Sequence, residues 1–124
     1  MRRRYLPKSS RLAGNKAFKA VLARKLCFSN ELLTLYLAEN KCGRPRLGLS
    51  VGKSLGTSVQ RNRLKRLLRE VFRQNQDQVP AEFDYVLMLS KKRGDLGFAK
   101  LSYEQLKDAF IGLVTDAKKK IEKQ

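Results

Sequence analysis

The chain contains no histidine and no tryptophan, and its 124 residues include just two cysteines, Cys27 and Cys42. Neither cysteine has a second cysteine nearby, and without histidine neither a Cys/His zinc site nor a His-based catalytic centre can form. The acidic residues stand singly along the chain, so they do not provide the carboxylate cluster of a two-metal nuclease. The sequence therefore argues against chemistry carried by this chain alone, and we expect the protein alone to bind no cofactor or metal.

Long apolar segments are missing as well. No apolar run approaches the roughly 18 residues of a membrane-spanning helix. The basic start Met1–Arg4 is followed by Pro7, Lys8 and Arg11 instead of the apolar stretch of a signal peptide. Two cysteines without a disulfide pattern are typical of a cytosolic protein with free thiols. These features predict a cytoplasmic protein.

Acidic residues are few, with 11 Asp and Glu against 28 Lys and Arg, which gives a formal net charge of +17. Most of the excess lies in the first 66 residues, which hold 17 basic residues against Glu31 and Glu39, a net charge of +15. One strongly electropositive region is therefore expected, with nucleic acid as its leading partner and an anionic membrane as the runner-up. At 42% hydrophobic residues, the chain has the composition and size of one domain with its own core.

The segment after Gly56 predicts a helix with two different faces. Thr57 and Gln60 have capping-box spacing, and the helix is expected to run to about Asn75. One side has the spacing of a core-facing stripe: Leu64, Leu67, Leu68, Val71 and Phe72. The other side carries Arg61, Asn62, Lys65, Arg66, Arg69 and Arg73, with Arg63 near the border. Because Glu70 is the single acid within this run, the face is either an ordinary basic surface or, in the sharper interpretation, an RNA- or DNA-contacting helix.

The remaining hydrophobic patterns predict two further helices and four strands. The expected order is a helix over residues 15–24, strands over 26–28, 31–39 and 46–51, the basic helix, a buried strand over 85–89 and a helix from 102 onward. The second and third strands are expected to pair as an antiparallel hairpin. The order α-β-β-β-α-β-α predicts a single-domain α+β sandwich over residues 12–124, preceded by a basic, flexible arm at 1–11.

Two apolar surfaces of this predicted sandwich have alternative interpretations. In the first helix, Val21 is expected in the core, whereas Phe18 and Leu22 either join it or line a groove. On the second strand, alternation turns Tyr36 away from the neighbouring leucines. Tyr36 therefore either packs beneath the first helix or lies exposed on the sheet.

Residues 46–69 combine glycine, basic and apolar positions in one long pattern, Arg46-x-Gly48-x-x-Val51-x-Lys53-x-x-Gly56-x-Ser58-Val59-x-Arg61-Asn62-Arg63-Leu64-Lys65-Arg66-x-Leu68-Arg69. This pattern resembles the signature of the bacterial ribonuclease P protein family. The run Arg61-Asn62-Arg63 alone would be weak evidence for the family, but its place in this strand–loop–helix spacing makes the resemblance specific. Arg11-Leu12, Phe18 and Tyr36 also stand where the family has counterparts, so the resemblance covers most of the chain.

The resemblance implies a fold, a reaction and partners. The fold is similar to the ribosomal protein S5 domain 2-like fold, with strands 47–51 and 85–89 parallel and joined through the basic helix by a left-handed crossover. The partners implied are the catalytic RNA subunit of ribonuclease P and precursor tRNA, whose 5′ leader the enzyme removes. The RNA subunit carries the metal-dependent chemistry, so Mg²⁺ is expected in the RNA-containing holoenzyme, and the protein alone is expected to be monomeric.

The resemblance also implies roles for individual residues. The RNA subunit would be bound by Arg61, Asn62, Arg63, Lys65, Arg66 and Arg69, and the single-stranded leader by Phe18, Leu22, Tyr36 and Lys53. Leu22 stands where the family often has an aromatic residue, so one stacking platform is weakened. A structural RNA-binding protein, such as a small ribosomal protein, fits the charge and size equally well, whereas an autonomous nuclease lacks the residues for its chemistry.

Overall fold

The computed structural model describes residues 11–12, 14–24, 26–41, 43–52, 56–89 and 101–122. The elements in these residues are α1 (Asn15–Ala23), β1 (Cys27–Ser29), β2 (Leu33–Glu39), β3 (Arg46–Ser50), α2 (Ser58–Gln74), β4 (Phe83–Leu89) and α3 (Tyr103–Glu122), with a short 3₁₀ turn at Gln76–Gln78. The predicted order and the α+β class are confirmed. Each predicted element is present, with ends that differ from the prediction by no more than two residues.

The four strands form one sheet in the order β1-β2-β4-β3. β2 is antiparallel to β1 and to β4, whereas β3 is parallel to β4, from Arg46 opposite Asp84 to Ser50 opposite Met88. The predicted hairpin of the second and third strands is therefore wrong, because β4 lies between them. β4 is buried on both faces, and such a strand belongs in the interior of a sheet. The parallel pair implied by the resemblance is confirmed, and the left-handed sense of its crossover stays a prediction.

The larger core lies between one face of the sheet and the helices α2 and α3. In α2, Leu67 is half-buried while the rest of the predicted stripe is fully buried: Leu64, Leu68, Val71 and Phe72. The Phe72 ring lies 5.8 Å from the Tyr85 ring of β4 and 6.2 Å from the Phe110 ring of α3, measured between centroids. The hydrophobic stripes therefore fix which side of α2 faces away from the core.

The start of α2 is fixed by the predicted capping box. The Thr57 hydroxyl accepts a hydrogen bond from the Gln60 backbone N–H at 3.2 Å, and the Gln60 side chain accepts one from the Thr57 N–H at 2.9 Å. Ser102 and Gln105 exchange the same two bonds at the start of α3, at 3.2 and 3.0 Å. Both boxes satisfy backbone donors that a helix leaves open at its first turn.

A smaller core lies on the opposite face of the sheet, beneath α1. Val21 is 1% exposed and packs with Leu12 and with Val86 of β4, which confirms its predicted place. Half-buried residues surround this cluster: Ala17, Phe18, Leu22, Tyr36, Ala38 and Met88. The sheet is thus a layer between α1 on one side and α2 with α3 on the other.

The chain reaches α1 along the edge of β3. Arg11 forms an isolated parallel bridge with Leu47, and the Leu12 N–H donates to the Leu47 carbonyl oxygen at 2.8 Å. Arg11 was predicted as the last residue of the flexible arm, yet it is part of the fold. The rest of that predicted arm, residues 1–10, lies outside the described residues.

Candidate nucleic-acid interface

The basic side of α2 is divided into an outer face and two edges. Asn62 and Arg66 are exposed in the middle, where the helix points away from the core. Arg61, Lys65 and Arg69 follow one another at intervals of four and are half-buried along one edge. The predicted cations thus lie on one side of the helix, with different degrees of exposure.

Two of the predicted RNA-binding side chains also have partners within the protein. Arg61 donates from Nε to the Gly56 carbonyl oxygen at 3.3 Å and from Nη2 to the Ser58 hydroxyl at 3.2 Å. Arg63, on the other edge, donates from Nη2 to the carbonyl oxygen of Leu101 at 2.9 Å, just before α3 begins. Both residues therefore hold the ends of neighbouring segments against α2, in addition to the RNA contacts predicted for them.

The last arginine of the helix has a partner in the helix itself. Arg73 forms an ion pair with Glu70, and the Glu70 carboxylate also accepts a hydrogen bond from the Gln74 side chain at 2.9 Å. This pairing offsets charge at the end of the basic side. The unbalanced positive charge therefore lies toward the first three turns of α2.

A cleft separates the Lys65–Arg69 edge of α2 from α1. It has a volume of about 190 Å³ and is lined by Arg11, Leu12, Phe18, Leu47, Gly48, Leu49, Lys65 and Arg69. Gly48 is essential to its shape, because a Cβ atom there would come within 2.6 Å of Cε2 of the Phe18 ring. The ring of Phe18 therefore lies directly against the backbone of β3 and forms one wall of the cleft.

The predicted leader-binding residues meet on the α1 side of the sheet. Phe18, Leu22 and Tyr36 pack around the same small core, and Tyr36 is half-buried instead of fully exposed. Cys27 lies opposite Tyr36 in the β1–β2 register and is an exposed free thiol. The electrostatic interaction with Cys27, followed by partial burial, raises the pKa of the Tyr36 hydroxyl. Lys53, the fourth predicted residue, lies outside the described residues.

Comparison with known proteins gives a consistent answer. Residues 6–118 match the family model described as Ribonuclease P. A ribonuclease P protein component from Clostridium botulinum (strain Loch Maree / Type A3) is 37% identical over 111 residues, covering 89% of this chain and 96% of the relative. One from Clostridium kluyveri is 39% identical over 107 residues, covering 86% and 93%. The solved structure of the ribonuclease P protein from Thermotoga maritima has a TM-score of 0.76 at 28% identity, covering 84% of this chain and 94% of that one.

This chain belongs to the ribonuclease P protein family. It is therefore a protein subunit of an endoribonuclease that acts in tRNA processing, and it functions with RNA. The alternative of a small ribosomal protein is excluded by the same matches. The basic first half of the sequence contains α1, β3 and the first turns of α2, so the charge asymmetry coincides with the elements of the candidate interface.

Sequence reasoning missed several residues at this ribonuclease P protein's candidate interface. Arg11 was placed in the arm, although it lines the cleft with Lys65 and Arg69. Gly48 was a position in the family pattern without a stated role, and Met88 was one of several apolar residues in β4. The alternation of Val86 and Met88 along β4 was the signal that could have placed Met88 on the same face of the sheet as Tyr36.

Within the described residues no group of three His, Cys, Asp or Glu side chains comes together. Among the helices of those same residues, none is long and apolar enough to cross a bilayer.

Proposed function

We propose that this ribonuclease P subunit holds two RNA elements on two surfaces. The outer side of α2 binds the catalytic RNA subunit, and the α1 side of the sheet binds the single-stranded 5′ leader of precursor tRNA. The observation that carries the proposal is the position of Phe18. Its ring packs beside Leu22 and Tyr36 and also lines the cleft with Lys65 and Arg69, so the two surfaces adjoin.

On the catalytic-RNA side, contacts with phosphates would supply most of the affinity, because they need cations and no particular base sequence. Asn62 and Arg66 are exposed and form the centre of this proposed surface. The remaining predicted contacts, Arg61, Arg63, Lys65 and Arg69, lie along its two edges. The long basic edge suits a structured RNA, whose shape and backbone are read more than its bases.

On the leader side, a single strand would be held by stacking on aromatic faces and by cations along its backbone. Tyr36 offers a half-buried ring on the sheet, and Phe18 offers a ring on α1. Leu22 contributes apolar contact without a stacking face. Lys53 follows β3 in the sequence, and its side chain would supply a cation to the backbone of the RNA strand.

In the holoenzyme, this chain would bind and orient the substrate while the RNA subunit, with Mg²⁺, carries out hydrolysis of the phosphodiester. We assign no catalytic residue to the protein, in line with its lack of histidine. Its work would take place in the cytoplasm, where precursor tRNA and the catalytic RNA meet.

Isolation of the RNA bound to the full chain tests this proposal. We expect a ribozyme-sized RNA that, with Mg²⁺, cleaves precursor tRNA at the end of its leader. Addition of the protein should improve cleavage most at low Mg²⁺ and for substrates with a leader. Recovery of an RNA without this activity, or equal improvement with and without a leader, would contradict the proposed roles.

A further inference from the structure

One large apolar side chain lies in the open on the first turn of α2. Val59 is 79% exposed, and no other large hydrophobic side chain is exposed among the described residues. A single apolar residue on a surface is ordinary by itself. The place of this one is unusual, because it lies inside the capping box of Thr57 and Gln60, at the start of a helix whose outer side is cationic.

Helical spacing puts Val59 on that outer side. Asn62, Arg63 and Arg66 follow it by three, four and seven residues, and all three are exposed. The buried stripe of α2 lies on the other side of the helix. Val59 therefore shares one surface with residues predicted to bind the catalytic RNA, and the core of the protein makes no use of it.

The helix itself gains nothing from a valine at this position. A β-branched residue is a poorer helix former than alanine, because its side chain is restricted against the neighbouring turn. Its exposed methyl groups also remain in contact with water, which is unfavourable. The same stiffness is an advantage in binding, since a side chain already held in one rotamer loses little entropy when a partner covers it.

The surroundings of Val59 indicate which partner fits. A protein interface of standard size covers roughly 800 Å² on each partner around an apolar centre, and one side chain next to Asn62, Arg63 and Arg66 does not provide it. A nucleotide combines a flat, poorly hydrated base with an anionic phosphate, and the first turn of α2 has no acidic residue to repel it. Because duplex bases cover one another, the nucleotide that suits this surface is an unpaired one.

We propose that Val59 covers the face of one unpaired base of the catalytic RNA, while the Asn62 amide binds the edge of that base and Arg66 holds a nearby phosphate. The proposal rests on the proposed function and deepens it, because it adds base recognition to a surface described so far by its phosphate contacts. Phosphate contacts position an RNA without reading its sequence, whereas contacts with a base read it. Val59 would thus help this subunit to distinguish its own RNA from other structured RNAs.

Salt dependence separates an apolar contact from a charged one. The affinity of the full chain for the catalytic RNA is measured over a range of salt concentrations. Val59→Ala should weaken binding about fivefold to tenfold at every concentration without changing the slope, because losing apolar area releases no counterion. Arg66→Ala should weaken binding and also lower the slope. Val59→Ile should bind as wild type does, whereas Val59→Thr, which has a hydroxyl in place of one methyl group, should lose affinity.

Removal of single bases identifies the nucleotide. Dimethyl sulfate and a carbodiimide together report on all four unpaired bases, and each base that the protein protects is then replaced in turn by an abasic nucleotide. At one position, the abasic RNA should bind wild-type protein as weakly as the intact RNA binds Val59→Ala. With that same abasic RNA, Val59→Ala should cause no further loss. Thermal melting should show Val59→Ala to be at least as stable as wild type, since alanine is the better helix former.

The results that contradict the base contact differ from those that contradict the proposed function. If Val59→Ala binds as wild type does, or if its loss persists with every abasic RNA or is equally large for an unrelated duplex RNA, the base contact is wrong. The catalytic-RNA surface still stands in those cases, provided that Arg66→Ala weakens binding and lowers the slope. If Arg66→Ala also binds as wild type does, the proposed function of this side of α2 fails.

Discussion

The Arg46 guanidinium donates two hydrogen bonds to the carboxylate of Asp84, from Nε to Oδ1 and from Nη2 to Oδ2, both 2.7 Å long. These residues are register partners on the parallel strands β3 and β4, and Asp84 is 7% exposed. The Asn40 side chain donates to the same carboxylate at 2.7 Å. This pair ties the two parallel strands together where their register begins, on the sheet face that also carries Gly48.

Replacing Arg46 with Met should therefore destabilise the fold. The variant leaves the Asp84 carboxylate largely buried and without its two charged donors, and we expect a loss of roughly 1.5–3 kcal/mol in the free energy of unfolding. Urea denaturation of the protein alone measures it. Arg24→Met is the matched control, because Arg24 pairs with Glu39 at 3.1 Å while both side chains are at least half exposed. The exposed Arg24–Glu39 pair should contribute little to the free energy of unfolding. Equal losses for the two variants would show that burial of the Arg46–Asp84 pair does not matter.

A second prediction concerns two glycines in different surroundings. Gly48→Ala places a Cβ atom against the Phe18 ring and should destabilise the protein by roughly 1–3 kcal/mol, as overpacking does. Gly112→Ala meets no atom within 4 Å on the exposed side of α3 and should stabilise it by about 0.5–1 kcal/mol.

Combining Gly48→Ala with Phe18→Ala tests the cause of that loss. Without the ring, the nearest of the contacts that remain for the added methyl group is Cδ2 of Leu12 at 3.3 Å, so most of the penalty of Gly48→Ala should disappear in the double variant. A penalty that persists without the ring would locate the strain in the contact with Leu12 or in the backbone of β3.

These contacts show where prediction from sequence works and where it ends. The capping box of Thr57 and Gln60 and the buried stripe of α2 depend on residues a few positions apart, so local pattern is sufficient. The strand order depends on which strands meet after a crossover, and adjacency in sequence favoured the wrong hairpin. Arg11 and Arg69 are distant in the chain and meet through the edge of β3, so no local signal joined them in one cleft. The parallel pairing of β3 with β4 was available through family resemblance alone.

The two faces of α2 should separate stability from RNA binding. Leu68 is fully buried, and Leu68→Ala should lower the free energy of unfolding by roughly 2–5 kcal/mol. Arg66 is exposed, so Arg66→Ala should leave stability within about 0.5 kcal/mol of wild type while weakening binding of the catalytic RNA. Thermal unfolding and RNA titration of both variants measure these effects. An Arg66→Ala protein that unfolds as readily as Leu68→Ala would contradict the assignment of faces.

The affinity for the catalytic RNA should fall steeply as salt is added. Each cation that neutralises a phosphate contributes roughly 0.7–0.9 to the slope of log affinity against log salt. Arg66→Ala should therefore reduce the slope by about one contact. Arg73→Ala is the control on the same helix, because Arg73 is paired with Glu70 and should leave the slope nearly unchanged. A wild-type slope near zero would rule out an electrostatic interface.

Tyr36 provides the most direct test of the leader surface. Its half-buried ring lies on the α1 side of the sheet, on the same small core as Phe18 and Leu22, and away from the basic side of α2. Stacking of one base on an aromatic ring is worth about 1–3 kcal/mol, so Tyr36→Ala should weaken precursor tRNA binding by roughly tenfold to a hundredfold.

Three comparisons make the Tyr36 experiment decisive. Mature tRNA has no leader to stack, so its dissociation constant from the holoenzyme should be the same for wild type and Tyr36→Ala. Tyr36→Phe retains the ring and should bind precursor tRNA nearly as well as wild type, which separates stacking from any role of the hydroxyl beside Cys27. Assembly with the catalytic RNA should be unaffected by either variant. Equal losses for precursor and mature tRNA would mean that Tyr36 supports the packing beneath α1, and no loss for either would remove it from the leader path.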